Sequence, residues 1–467
     1  MEELIKKKEK SSQKISRRDF ITKSSAAAAA FMIVPRYVLG GPGYTAPSDK
    51  INIAAIGVGG KGRSDIAAVA TENIVALCDV DDVKMFDTIK RAGEWAEEKG
   101  LSENPLTKVP RYKDFREMLD KQKDIDAVTV STPDHFHAVA AITAIKQGKH
   151  AFVQKPLTYS VDEAQKLSAA AKKAGVVTQM GNQGHAGEGI RLIGEWLKDD
   201  AIGEVREVHC WTNRPIWDTG MNRPAEIPSV PPTLDWNQWI GPAPFRPYHP
   251  DYAPWSWRAW CDFGTGALGD MGAHIFDIPY HTLKMDHPTS VFASSSKFNG
   301  ESWPVASTIY YEFPQRGSLP PVKLTWYDGG IMPSRPEGIE PGRRMGDGDG
   351  GIMFYGDKGM IMCGCYGRNP RLVPETSMKE YQRPPKTLSR SPGIHEEWVQ
   401  CIKESKQASS NFDYAARLTS TMLLGNIAIR MAPRSTKLEW DGIAGKFTNM
   451  DEANDYLGRE YRDGWNL

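Results

Sequence analysis

The sequence predicts an α/β protein. A doubly wound parallel sheet comes first, followed by an α+β domain with a large, mostly antiparallel open sheet. Three observations lead there. From residue 50 to about residue 180, short apolar runs alternate with helical periodicity, a pattern that gives parallel strands covered by helices on both faces. The first apolar run breaks into glycines spaced G-x-G-x-x-G, and a helical pattern follows at once. Beyond residue 181 strands succeed one another without crossover helices, as in an antiparallel sheet. At 467 residues the chain is long enough for two or three full cores.

The first strand is expected at 51–56, running into Gly57-Val58-Gly59-Gly60-Lys61-Gly62. Gly57 and Gly59 allow a tight turn and a close backbone approach to a pyrophosphate. Gly62 lets the helix at 64–70 pack hard on the strand, so that free N–H groups at the helix start face phosphates. A second strand, 73–78, ends at Asp79, about twenty residues past the loop, where a carboxylate receives ribose hydroxyls. The four glycines and Asp79 therefore define a dinucleotide site. Asp79 favours NAD, because a 2′-phosphate would meet its charge. Lys61 and Arg63 could neutralise that phosphate, so NADP stays open.

Further strands are expected at 127–130, 150–153 and 176–180, with helices at 83–99, 114–122, 136–147 and 160–174. Gly148 and Gly175 sit where left-handed C-terminal residues belong. After Gly181 come a helix at 187–198, a strand at 205–211, and an irregular segment at 214–260 rich in Pro and Trp. A glycine-rich turn leads into a helix at 271–283. Strands follow at 289–296, 307–313, 322–327, 351–355 and 360–363, and helices at 395–404 and 414–431. The tryptophan cluster can pack as a core or stack on sugar rings.

Ser16-Arg17-Arg18-Asp19-Phe20 is a twin-arginine pattern, followed by a short apolar stretch at 26–34 that Pro35 stops. That stretch is too short to span a bilayer, so no stable membrane span is expected and the segment reads as an export signal. Residues 1–46 are thus expected to be signal and linker, 47–180 the dinucleotide domain, and 181–467 the substrate and oligomerisation domain. Twin-arginine signals engage a machinery that moves folded proteins. The protein is therefore expected to leave the cytoplasm folded, for the periplasm or cell envelope, with its cofactor already bound. The 58 basic and 58 acidic residues balance, which argues against a nucleic-acid partner. The six cysteines are dispersed, and Cys363 and Cys365 lack a second Cys/His pair at zinc spacing, so no metal site is expected.

Three clusters carry chemistry. Thr132-Pro133-Asp134-His135-Phe136-His137 follows a strand at the edge where open parallel sheets bind ligands, and Thr132 and His137 would face the nicotinamide end. Gln154-Lys155-Pro156 follows the next strand. A lysine at the mouth of a buried strand is partly desolvated, which suits it to proton transfer, to a cofactor phosphate, or to capping the sheet edge. Asp270 and His274 stand four apart, on one face of a helix, where the carboxylate can fix the imidazole tautomer.

These motifs resemble the Gfo/Idh/MocA family of oxidoreductases. The carriers are GVGGKG with Asp79, the run TPDHFHAVAAITAIKQGKHAFVQKPLT at 132–158, and GALGDMGAHIFD at 266–277. The resemblance implies an N-terminal Rossmann domain, a C-terminal domain whose open sheet often mediates homo-oligomers, and oxidation or reduction of sugars and related alcohols with NAD(P). It implies Lys155 as the catalytic lysine and His274 as the proton-transferring histidine, with Asp270 assisting. Thr132, Pro133, His137, Gln154 and Lys155 would join the cofactor contacts. The family usually has Glu-Lys-Pro where this chain has Gln154, so either the behaviour of Lys155 or the nicotinamide contact should differ. Asn182, Gln183, His185, Trp257 and Arg258 are expected on the substrate side.

The first functional expectation is an NAD-dependent oxidoreductase acting on a sugar or glycoside hydroxyl. An alternative follows from export to a place without an NAD pool: a redox-neutral NAD-dependent glycoside hydrolase or lyase working by transient sugar oxidation. A non-catalytic sugar- or nucleotide-binding protein is the third.

Overall fold

Residues 51–180 build a six-stranded parallel sheet. Its strands are β1 (Asn52–Ile56), β2 (Asn73–Cys78), β3 (Arg111–Tyr112), β4 (Ala127–Val130), β5 (His150–Val153) and β6 (Thr178–Met180), in the order β3-β2-β1-β4-β5-β6. The order reverses at β1, where β2 and β4 flank it, and ligands bind open α/β sheets at such a switch point. A computed structural model of the chain describes residues 49–98 and 103–467. The expected signal, residues 1–46, lies outside the described residues.

The crossover helices are α1 (Lys61–Ala68), α2 (Asp82–Glu98), α3 (Phe115–Lys121), α4 (His137–Lys146) and α5 (Val161–Ala174). Their ends obey local rules. The Asp114 side chain accepts from Arg116 N–H at the start of α3, and Ser160 with Glu163 forms a capping box on α5. Gly148 and Gly175 take φ of +76° and +67°, as expected. The expected helix 136–147 is α4, and a 3-10 turn, Asp134–Phe136, leads into it.

Helix α6 (Glu188–Lys198) leads to the second sheet. Its strands are β7 (Val205–Thr212), β8 (Ser290–Ser295), β9 (Ser307–Phe313), β10 (Val322–Tyr327), β11 (Gly350–Gly356), β12 (Met360–Gly364), β13 (Arg371–Val373), β14 (Leu438–Asp441) and β15 (Lys446–Phe447). The order is β13-β12-β11-β7-β10-β9-β8-β14-β15, and every pairing is antiparallel except β7 with β10. The helix expected at 271–283 is two, α7 (Gly266–Ile275) and α8 (Asp277–Thr282). Helix α7 starts earlier than its glycines suggest because close packing requires them. A Cβ on Gly269 would sit 1.8 Å from Thr265 Oγ1, and one on Gly272 would sit 2.9 Å from the Met422 sulfur.

The last helices tie the sheets together. In α9 (Ile394–Glu404), Ile394, Trp398 and Val399 pack on Ile53, Ala127 and Phe152, so a distant segment covers one face of the parallel sheet. Helix α10 (Phe412–Met431) is buried nearly throughout and packs against α5, α7 and β8. Ile51–Leu467 accordingly forms one compact unit. No helix among the described residues is long and apolar enough to cross a membrane.

Candidate active site

The glycine turn leaves β1 with Gly57 at φ +77°. A Cβ on Gly62 would lie 1.9 Å from the Gly57 carbonyl oxygen, so α1 touches the turn where only hydrogen fits. Val58 and Gly59 donate their N–H groups to Asp79 Oδ2 at 2.9 and 3.3 Å, which fixes the loop against the end of β2. Burial pushes the Asp79 carboxyl up, against the backbone N–H groups of Asp81, Val58 and Gly59. Lys61 and Arg63 are already paired with Asp65 and Asp87, which removes the two cations that could have welcomed a 2′-phosphate.

From this loop a cavity of about 790 Å³ runs toward the second sheet. Gly57, Gly59, Gly60, Lys61 and Asp79 line one end. Thr132, Pro133, Gln154, Lys155, Asp270, His274 and Tyr366 line the other. The 213–265 segment forms a wall. Its buried Trp217, Trp236, Trp239, Trp257 and Trp260 make a core of their own; Trp239 and Trp257 also line the cavity, and Trp255 stays half exposed there. The segment is pinned to the parallel sheet. Asp82 N–H donates to Thr233 O at 3.0 Å, Asp235 N–H to Val80 O at 2.9 Å, and His135 N–H to Phe263 O at 3.2 Å.

Lys155 is 16% exposed and donates to Asp270 Oδ1 at 2.8 Å and to Asp270 O at 2.7 Å. Arg258 Nε lies 3.5 Å and Arg214 Nε 3.8 Å from the same carboxylate. Burial pushes Asp270 up, but Lys155 and Arg258 outweigh it and bring its pKa down to about 2. These three cations explain a correction. Asp270 does not hydrogen-bond His274 as the i, i+4 spacing suggested, because a carboxylate surrounded by cations is held by them rather than by a neutral imidazole. His274 Nδ1 is buried without a partner, and the Tyr366 ring centre lies 4.5 Å from that of the imidazole. Burial, then the nearby Lys155 charge, push His274 well below its ordinary 6.5. The result is a neutral imidazole beside an ammonium.

Gln154 is explained by a residue the sequence reading passed over. Its Nε2 donates to both oxygens of Asp65, at 3.1 and 2.9 Å. Asp65 is fully buried in α1 and also accepts from Ser131 Oγ, from Lys61 and, at 2.8 Å, from His395 Nε2. Burial pushes Asp65 up, but His395 and Lys61 outweigh it and hold it below the usual carboxylate range. A glutamate at 154 would set two carboxylates together; glutamine turns that contact into a bond. It also leaves Gln154 Oε1 buried without a partner.

Other expected residues lie elsewhere. His137 does not reach the cavity. Its Nδ1 and Nε2 lie 2.8 Å from the carbonyl oxygens of Pro156 and Thr132, so it ties two loops together and has no free nitrogen. Of the expected substrate trio only Gln183 lines the cavity. Asn182 is buried, accepting from Ser410 Oγ at 2.8 Å. His185 points inward to Asp277, at 2.9 Å, because the 3-10 turn Gln183–Ala186 rotates each side chain by about 120° from the last, which separates it from Gln183. Trp257 and Arg258 do line the cavity, with the guanidinium 4.6 and 4.2 Å from the ring centres of Trp255 and Trp257. Tyr366 and His395 carried no sequence signal. Asp65, one turn past Lys61, carried a faint one.

The cavity fits a dinucleotide. The glycine cradle would be filled by a Cβ at Gly57 or Gly62, and three of its lining residues hold buried polar atoms without partners: Thr132 Oγ1, Gln154 Oε1 and His274 Nδ1. Sequence similarity agrees. Residues 51–182 match the Gfo/Idh/MocA oxidoreductase family, NAD-binding Rossmann fold, and residues 204–313 match its C-terminal alpha/beta domain. The chain belongs to this family of NAD-dependent oxidoreductases, with an NAD-binding Rossmann domain. It is 34% identical over 124 residues to a glycosyl hydrolase family 109 protein of Solibacter usitatus, covering 26% of this chain and 27% of that one. It is 26% identical over 166 residues to levoglucosan dehydrogenase of Pseudarthrobacter phenanthrenivorans, covering 35% and 34%. The chain spans less than half the length of these curated relatives. Its fold is similar to that of an oxidoreductase domain protein from Kribbella flavida, with a TM-score of 0.53 at 21% identity, covering 84% of this chain and 99% of that one.

Asp79 also yields a specificity test. Asp79→Ser should weaken NAD binding about tenfold and narrow the preference over NADP, since Lys84, whose stem lies 3.1 Å from the Cβ position of Gly59, would then meet a 2′-phosphate unopposed. Fluorescence titration with NADH and NADPH measures both.

Proposed function

We propose that the chain is an NAD-dependent oxidoreductase acting on a sugar or glycoside hydroxyl. The observation that carries this reading is the meeting, in one cavity, of an ammonium held at 2.8 Å from Asp270 and a neutral imidazole with a free ring nitrogen. The chemistry that NAD supplies when bound is hydride acceptance at the nicotinamide ring. Lys155 would donate to the substrate hydroxyl oxygen and stabilise the developing alkoxide. His274, kept neutral by burial, would accept the hydroxyl proton. Asp270 holds the lysine in place, and Trp255 offers a half-exposed face for a sugar ring.

A second reading, a redox-neutral glycoside hydrolase or lyase, is favoured by the wall over the cavity. Thr233 and Leu234 cross above Asp81 and Asp82, beside the loop that takes the ribose, so that segment would hinder release of a dinucleotide. The name of the glycosyl hydrolase family 109 relative supports the same reading. Export after folding through the twin-arginine machinery, to the periplasm or cell envelope, belongs to the proposal and rests on Arg17 and Arg18. So does self-association through the second sheet, where Tyr310 is 44% exposed and stacks on Phe292.

Denaturing the purified, exported protein should release about one dinucleotide per chain, with its redox state read by absorbance and mass. Cleavage of a chromogenic glycoside without added NAD supports the second reading. Accumulation of NADH in step with product supports the first. Absence of affinity for either form of the dinucleotide overturns both.

A further inference from the structure

A second cavity, of about 160 Å³, adjoins the segment leading into α7. Its polar lining comes from Tyr159, Ser160, Thr265, Asn426, Arg430 and Arg459. Arg459 is 10% exposed. Its Nε donates to Glu163 Oε1 at 3.0 Å and its Nη2 to His135 O, but its Nη1 is buried without a partner. Arg430 is caged by rings, 5.0 Å from the centres of Trp303 and Tyr456 and 5.7 Å from that of Phe298. Among the described residues no carboxylate pairs with it.

Among the described residues, the acid that pairs with Arg459 is spent. Glu163 accepts from Tyr159 N–H and Ser160 N–H through Oε2, and from Arg459 and the Tyr461 hydroxyl through Oε1. Two guanidinium groups therefore face one fully engaged carboxylate, leaving one surplus positive charge. Ring faces attract a guanidinium but accept none of its in-plane N–H bonds. Leu423, Ile427 and Trp303 line the rest of the cavity and lower the local polarity, which strengthens a charge-assisted bond made there.

We propose that this cavity is a binding site for a compact oxyanion, a phosphate or a carboxylate, taken by Arg430 together with the free Nη1 of Arg459. Its size excludes a sugar nucleotide, since small-molecule pockets run from about 300 Å³ upward. Tyr456, 39% exposed, forms the side from which an ion would enter. The site reaches the catalytic helix through Thr265, which donates N–H to Asp134 at 3.0 Å and accepts at its carbonyl from Asn426 Nδ2 at 2.9 Å.

The test is thermal unfolding of the full chain with saturating NADH, so that the dinucleotide site is filled. Sodium chloride is replaced at constant ionic strength by sodium phosphate or sodium acetate. One of the two should raise the midpoint saturably by roughly 2 °C. A phosphate response identifies a phosphate site, an acetate response a carboxylate site. Arg430→Gln should weaken the response at least about tenfold, and Arg430→Lys, which keeps charge and cage, should restore part of it. Calorimetric titration of Arg430→Lys serves if the glutamine variant unfolds. A response equal to that of chloride, no response to either oxyanion, or one that survives Arg430→Gln overturns the proposal.

Discussion

Replacing Lys155 with methionine is expected to lower kcat by roughly 10³-fold while weakening NAD binding less than about tenfold. Methionine keeps the buried stem and removes the ammonium. Asp270 then still faces Arg258 at 3.5 Å and Arg214 at 3.8 Å, so no unpaired charge is stranded and the fold survives. The sharper readout is the pH profile. Burial and the Lys155 charge, in that order, depress the His274 pKa. A histidine depressed below 6.5 binds fewer protons folded than unfolded, so the fold loses stability as pH falls below 6.5 and activity falls once the imidazole protonates. Removing Lys155 takes away one depressing influence, so the acid limb of the residual activity should move to higher pH. A limb that stays in place would show that ammonium and imidazole do not act on a shared substrate.

The second large effect lies at the other end of the cavity. Gly62→Ala should weaken NAD binding by about 100-fold and destabilise the fold by roughly 1–3 kcal/mol. The new Cβ would stand 1.9 Å from the Gly57 carbonyl oxygen, a backbone atom that cannot swing aside, with the Ser131 Cβ 3.3 Å away. Either α1 lifts from the sheet or the turn opens, and both move the N–H groups meant for the pyrophosphate. Gly59→Ala is the control. It has no left-handed φ, and the atoms nearest its Cβ position all belong to the flexible Lys84 side chain, 3.1 Å away, which can give way, so its losses should be far smaller. Isothermal titration with NADH and denaturant unfolding measure the two effects separately. Equal losses for both variants would remove the argument from close packing.

Much of this was legible because it is written in local spacing. The G-x-G-x-x-G turn, the acid at the end of the second strand, and the left-handed glycines at 148 and 175 depend on residues near one another in the chain. Short edge strands such as Arg111–Tyr112 and Lys446–Phe447 were missed, since two residues carry no period.

By itself, the sequence determined the two-sheet architecture, the glycine cradle, Asp79, and the arrival of Lys155 and His274 in one cavity. Only the tertiary structure decided what those groups bond to. It gave Asp270 to Lys155 rather than to His274, and it turned His137 and His185 inward. It set Asp65 under Gln154 and beside His395, 330 residues away. The reason is competition. Periodicity settles which face of a helix a side chain occupies, but its partner is the strongest donor or acceptor that the packed fold brings within reach.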